Sequence, residues 1–148
     1  MSIGTARVGR IVLAALAIAQ ANRDHGHMSN SDASIQGRVR TDARLTPFRR
    51  RVYLALLEVP RGRVTTYALL AAQAGCKSAR AVGGALRANP FAPAVPCHRV
   101  IAADLSIGGF CGQTAGREIT RKAALLRSEG VPLDAAGRLT DRSRVWRF

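Results

Sequence analysis

Cysteine, histidine and arginine stand in succession at Cys97-His98-Arg99, directly after Pro96. The thiolate is the nucleophilic form of cysteine, and a neighbouring imidazole and guanidinium are two groups able to favour it. The chemistry such a trio offers is attack by sulfur on an electrophilic carbon. A packed, inert thiol is the competing reading, since free cysteine is among the most buried residue types. The dipeptide alone does not separate them. Cys76 and Cys111 are the other cysteines, and three in 148 residues do not make a disulfide scaffold. His25-Gly26-His27 is too sparse for a ligand set, so no metal is expected.

The elements that must present Cys97 are legible upstream. Phe48, Val52, Leu56 and Val59 fall at helical spacing, with Pro47 suited to a first helical position and Pro60-Arg61-Gly62-Arg63 ending the helix in a turn. A short extended piece, Arg63-Val64-Thr65, leads to Thr66, an N-cap for a helix from Tyr67 to Ala74. Gly75 closes that helix, Cys76-Lys77 forms the turn, and Ser78 caps a second helix over Ala79 to Arg87, stopped by Asn89-Pro90. Two short helices about such a turn make a helix-turn-helix. Small residues, Ala79, Ala81, Gly83, Gly84 and Ala85, let the second helix approach another surface closely, while Arg80 and Arg87 project from it. Phe91 to Pro96 reads as an extended, proline-stiffened approach to Cys97.

Charge points to the partner. The chain has 23 Lys+Arg against 9 Asp+Glu, a net charge of +14, and only Lys77 and Lys122 are lysines. Residues 1–46 contribute +3 and residues 47–148 contribute +11, and residues 47–100 hold nine basic side chains and one acid, Glu58. A solvated charged face is the bland alternative; a polyanion, here nucleic acid, is the expected partner. An apolar content of 47% excludes whole-chain disorder, and no apolar run approaches the ~20 residues of a membrane span. The expected fold is mainly α, a winged-helix-like helix-turn-helix domain with a short β element over residues 47–148. Residues 1–46 are expected to be a mostly disordered, basic N-terminal arm. Ala21 to Thr46 reads as a linker, and Ile11 to Ala19 fits a signal peptide, an organelle transit peptide or a short packed helix. A closing hairpin about Gly137 is expected to pack back on the domain.

The string Pro96-Cys97-His98-Arg99-Val100, with Arg80-Ala81-Val82-Gly83-Gly84 and Asn89-Pro90 before it, resembles the active-site region of the O6-alkylguanine-DNA alkyltransferases. Val59-Pro60, Gly62, Thr66-Tyr67, Gly108-Gly109-Phe110, Leu125-Leu126 and Glu129-Gly130 match in order. The resemblance implies transfer of an alkyl group from guanine O6 to the sulfur of Cys97, once per molecule. His98 matches the base that acts through a water, Glu129 the carboxylate that orients it, and Tyr67 the proton donor to guanine N3. The nucleotide must leave the stack to be reached, and Arg80 matches the arginine that fills its place. Asn89 matches the tie between recognition helix and active-site loop. DNA contact is expected from Arg80, Tyr67, Thr66, Ala79, Gly83, Arg87 and Arg99, and a substrate loop from Val100, Gly108, Gly109, Phe110 and Cys111.

Several features depart from that pattern. Phe110 stands where many members have Tyr, and Cys111, where others have a small polar residue, adds a thiol able to pair with Cys97 on oxidation. Gln113 to Thr120 looks like a short insertion, after which Lys122 keeps a seven-residue spacing to Glu129. Residues 1–46 do not encode the N-terminal sheet-containing domain of typical members. The implied partner is double-stranded DNA containing O6-alkylguanine, met by a monomer without cofactor or membrane, inside the cell at the nucleus or nucleoid, with organelle targeting left open. The alternatives are an alkyltransferase-like protein that flags the lesion without transfer, and a sequence-specific helix-turn-helix regulator.

Overall fold

The computed structural model describes residues 30–148; the apolar run 11–19 and His25-Gly26-His27 lie outside the described residues. The order of elements is α1 (Asn30–Thr41), α2 (Pro47–Leu57), β1 (Thr65–Thr66), α3 (Tyr67–Gln73), α4 (Ala79–Arg87), a 3₁₀ turn (Cys97–Arg99), β2 (Val100–Ile101), α5 (Arg117–Ser128) and a 3₁₀ turn (Arg142–Arg144). Helix starts follow the capping residues. Thr46, Thr66 and Ser78 each accept a hydrogen bond from a backbone N–H three residues on, and Pro47 takes a first-turn position. Gly75 at φ 72° closes α3 in the left-handed conformation its lack of Cβ permits. Helices α3 and α4 with that turn form the expected helix-turn-helix.

The main core joins α1 to α4. Val52, Tyr53 and Leu56 of α2 are fully buried with Leu70 of α3 and Val82 of α4. Tyr53 donates from its hydroxyl to Ala85 O at 2.7 Å and meets Phe91 edge-on at 6.2 Å between centroids, pinning α2 to the recognition helix. A second cluster, Val64, Ile101, Leu126, Val131 and Leu139, underlies the parallel pairing of β1 with β2, Thr65 opposite Val100. The closing hairpin forms as expected: Leu133 pairs with Leu139 about Gly137, and Val64 pairs with Val145.

Two expectations fail here. The linker assigned to residues 21–46 is helical over Asn30–Thr41, and the compact unit runs Ser34–Phe148. Ile35 and Val39, four residues apart on one helix face, and Leu45 in the turn after the helix are the reason, because all three join the core. Arg50 fastens the junction, donating to Asp42 O at 2.9 Å, and Arg38 lies 5.6 Å from the Phe91 ring centroid. The Phe91 to Pro96 approach is a turn rather than an extended segment, closed by Val95 N–H to Phe91 O at 3.0 Å. Within the segment read as an insertion, Arg117 to Thr120 form the first turn of α5.

Candidate active site

Cys97 opens the 3₁₀ turn that follows the Asn89–Pro96 loop, and Asn89 organises that loop from both ends. Its side-chain oxygen accepts from Phe91 N–H at 2.9 Å, and its amide donates to Val95 O at 3.1 Å. Because Asn89 directly follows the α4 cap, those bonds couple the recognition helix to the cysteine. The thiol is half-buried and lines a cavity of about 850 Å³ between the helix-turn-helix and the Gly108–Thr114 loop. Tyr67, Ala79, Arg80, Gly83, Arg87, Gly109, Phe110 and Cys111 line it too, so nine of the residues expected at the site share one space. Gly108, at φ 69°, passes so close to Tyr67 that a Cβ would lie 3.2 Å from the ring. Tyr67 donates from its hydroxyl to Gly109 O at 3.0 Å.

Behind the cysteine lies a buried ionic cluster. His98 Nε2 is 2.8 Å from Glu129 Oε1, and Arg99 donates to both carboxylate oxygens at 2.9 Å and to Val59 O at 2.8 Å. Burial pushes the Glu129 carboxyl up, but the hydrogen bonds from His98 and Arg99 and the charge of Arg99 outweigh it, holding Glu129 at about 2. The carboxylate is therefore an anion that fixes the histidine ring and its free nitrogen, Nδ1. Burial also pushes the Cys97 thiol up, opposed by the Asn89 hydrogen bond, its own backbone N–H and the charges of Lys122 and Arg121. The two cations that favour the thiolate come from α5; Arg99, expected from its position next to Cys97, is committed to Glu129.

Lys122 escaped the sequence reading beyond its spacing. It is fully buried, and its Nζ donates to Val100 O at 2.5 Å, Ile107 O at 2.6 Å and Gly109 O at 3.0 Å. Three carbonyls converging on one point suit an ammonium, which has three donors; a planar guanidinium does not fit that geometry. A lysine in a chain that otherwise uses arginine was the available signal. Burial draws Lys122 down to about 8, against the charges of Cys97 and Cys111, which raise it.

Two expected DNA contacts are placed elsewhere. Thr66 is buried as the α3 cap, and Arg99 is held on Glu129 and Val59. Val100 is also buried, offering its carbonyl to Lys122. Arg80, by contrast, is exposed at the start of α4 and has no hydrogen bond or ion pair among the described residues.

Residues 47–131 match the family model described as 6-O-methylguanine DNA methyltransferase, DNA binding domain. The chain belongs to this family. The methylated-DNA–protein-cysteine methyltransferase of Salmonella typhimurium is 48% identical over 89 residues, 60% of this chain and 49% of that protein. A Thermus thermophilus protein named DNA base-flipping protein is 49% identical over 87 residues, 59% of this chain and 55% of its own length. Among solved structures, Mycobacterium tuberculosis OGT in complex with DNA superposes with TM-score 0.51 at 46% identity, covering 58% of this chain and 51% of that one. Schizosaccharomyces pombe Atl1 in complex with damaged DNA containing O6-carboxymethylguanine gives TM-score 0.60 at 30% identity, covering 71% and 99%. The chain spans about half the length of the curated relatives it matches. All the site residues of the 6-O-methylguanine DNA methyltransferase reading, from Thr66 to Glu129, fall inside the matched segment.

Proposed function

We propose that the chain removes alkyl groups from O6 of guanine in duplex DNA by transferring them to its own Cys97. One observation carries the reading: a half-buried thiol in a cavity beside the recognition helix, backed by the buried His98–Glu129–Arg99 cluster. The resting thiol is protonated, since burial raises it, so transfer needs a base. His98, with Nε2 on Glu129, has Nδ1 left to take the thiol proton by way of a water. The sulfur then bonds to the alkyl carbon as the bond from that carbon to O6 breaks. The electron pair stays with guanine, which takes a proton at N3 from Tyr67. The product thioether has no easy leaving pathway, so each molecule acts once and needs no cofactor.

Arg80 is the residue suited to entering the stack when the nucleotide turns out, and Gly83 and Ala79 let α4 lie close to the duplex. Arg87 belongs to the same face. Such a protein works inside the cell on chromosomal DNA, at the nucleoid or nucleus, as a monomer. A second reading, lesion binding without transfer, is favoured by the coverage of 99% of the Atl1 chain. The test is a labelled O6-methylguanine duplex mixed with equimolar protein. Label moving from DNA to protein supports transfer; retention of the lesion in a stable complex supports the second reading.

A further inference from the structure

Cys111 is a second thiol of the same cavity, and the proposed transfer makes no use of it. It occupies the first central position of a two-residue hairpin in which Phe110 and Gln113 exchange both backbone hydrogen bonds at 2.8 Å. Both central residues are left-handed, Cys111 at φ 50° and Gly112 at φ 78°. Turns of this kind favour Asn or Gly there, and a left-handed side-chain-bearing residue costs about 1–2 kcal/mol. The turn places Cys111 on the wall of the cavity that Cys97 also lines. Cys111 is exposed where Cys97 is half-buried, so a small soluble oxidant meets Cys111 first.

Burial pushes both thiols up, and the Glu118 carboxylate beside Cys111 adds to it there, so each sulfur rests as a thiol and ionises only transiently. Arg121 and Lys122, adjacent on α5, lie near enough to both sulfurs to oppose that shift in part, and the two thiols are near enough to act on each other, which places them together in one cavity. We propose that Cys97 and Cys111 form a redox dithiol, which a peroxide closes into an intramolecular disulfide and a thiol reductant reopens. The Cys111 thiolate attacks hydrogen peroxide and becomes a sulfenic acid, releasing hydroxide. The Cys97 sulfur then displaces the sulfenic hydroxyl, forming the S–S bond. Two thiols and one peroxide give one disulfide and two waters, the two sulfurs supplying the two electrons. Closure withdraws the Cys97 sulfur from attack on carbon without the permanent loss that further oxidation would bring. Its consequence for alkyl transfer rests on the function proposed above; formation of the bond does not.

The experiment treats the full reduced chain, without DNA, with a slight excess of hydrogen peroxide. Intact mass should fall by two hydrogen atoms, and digestion without reductant should yield a peptide joining Cys97 to Cys111. Dithiothreitol should restore both. Cys111→Gly, which suits the left-handed turn, should lose no hydrogens and gain oxygen at Cys97 instead; Cys76→Ser should close like the wild type. Oxygen gained by the wild type with no loss of hydrogen, a bond to Cys76, or a disulfide-linked dimer would each overturn the proposal. The oxidised chain should take no methyl from an O6-methylguanine duplex until reduced. If the bond forms but the reduced chain also takes no methyl, the dithiol stands and the transfer reading fails.

Discussion

His98 and Glu129 are 31 residues apart in sequence and 2.8 Å apart in the structure, and Arg99 grips both oxygens of the same carboxylate. The pair is nearly sealed from solvent, at 6% and 9% side-chain exposure, so its geometry is set by protein alone. Glu129→Gln keeps the shape and removes the charge, leaving Arg99 without its counter-ion. Single-turnover transfer should slow on the order of 100-fold or more, the scale of a misdirected general base. Lesion binding, measured by fluorescence anisotropy, should be unchanged; a parallel loss of binding would contradict the positioning role.

The same carboxylate sets an acid limit to stability. Its ordinary value near 4.5 is lowered to about 2 in the fold, so the unfolded chain binds the proton first. Its contribution, roughly 3 kcal/mol, is complete above the unfolded value and disappears as pH falls from one value to the other. Melting temperature should therefore drop across that window in the wild type and drop less steeply in Glu129→Gln. Equal slopes would show that other groups govern acid unfolding.

Lys122→Met should loosen the substrate loop. The change takes the shared donor from the carbonyls of Val100, Ile107 and Gly109, of which Gly109 O keeps the Tyr67 hydroxyl, at a cost of about 1–3 kcal/mol for each buried acceptor left unpaired. Amide exchange over residues 107–113 should accelerate more than exchange in α2. Lys122→Arg should not restore protection, because a guanidinium cannot point three donors at that site. Uniform acceleration across the chain would reduce Lys122 to a general stabiliser.

Arg80→Ala should lower transfer from duplex DNA more than transfer from free O6-benzylguanine, which has no stack to fill. Comparison of the two rates checks it, and equal losses on both substrates would contradict an inserted arginine.

Much of this was legible because local signals and tertiary placement agree. Thr66, Gly75 and Ser78 mark the helix-turn-helix by capping chemistry that acts within a few residues, and the folded chain follows it. The cluster behind Cys97 was legible only through resemblance, because nothing local in Ser128-Glu129-Gly130 requires a partner 30 residues upstream. Arg99 was misjudged for the same reason: adjacency to Cys97 suggested a charge on the thiol, and long-range pairing took it elsewhere. Helix α1 was missed because Ile35, Val39 and Leu45 are sparse anchors in a polar stretch with little helical signal of its own. Its order comes from burial against α2 and Phe91 rather than from propensity. Arg50 and Arg51 show that net charge overstates the DNA-facing surface, since both donate to backbone carbonyls of their own fold.

Cys97 as the acceptor is the central claim, and intact mass reads it directly. After incubation with an equimolar O6-methylguanine duplex, the protein should gain one methyl group, mapped to Cys97 by peptide sequencing, with guanine restored in the DNA. Cys97→Ala should bind the duplex and gain nothing. A wild-type complex with unchanged mass and an intact lesion, or a methyl group mapped to another residue, would contradict it.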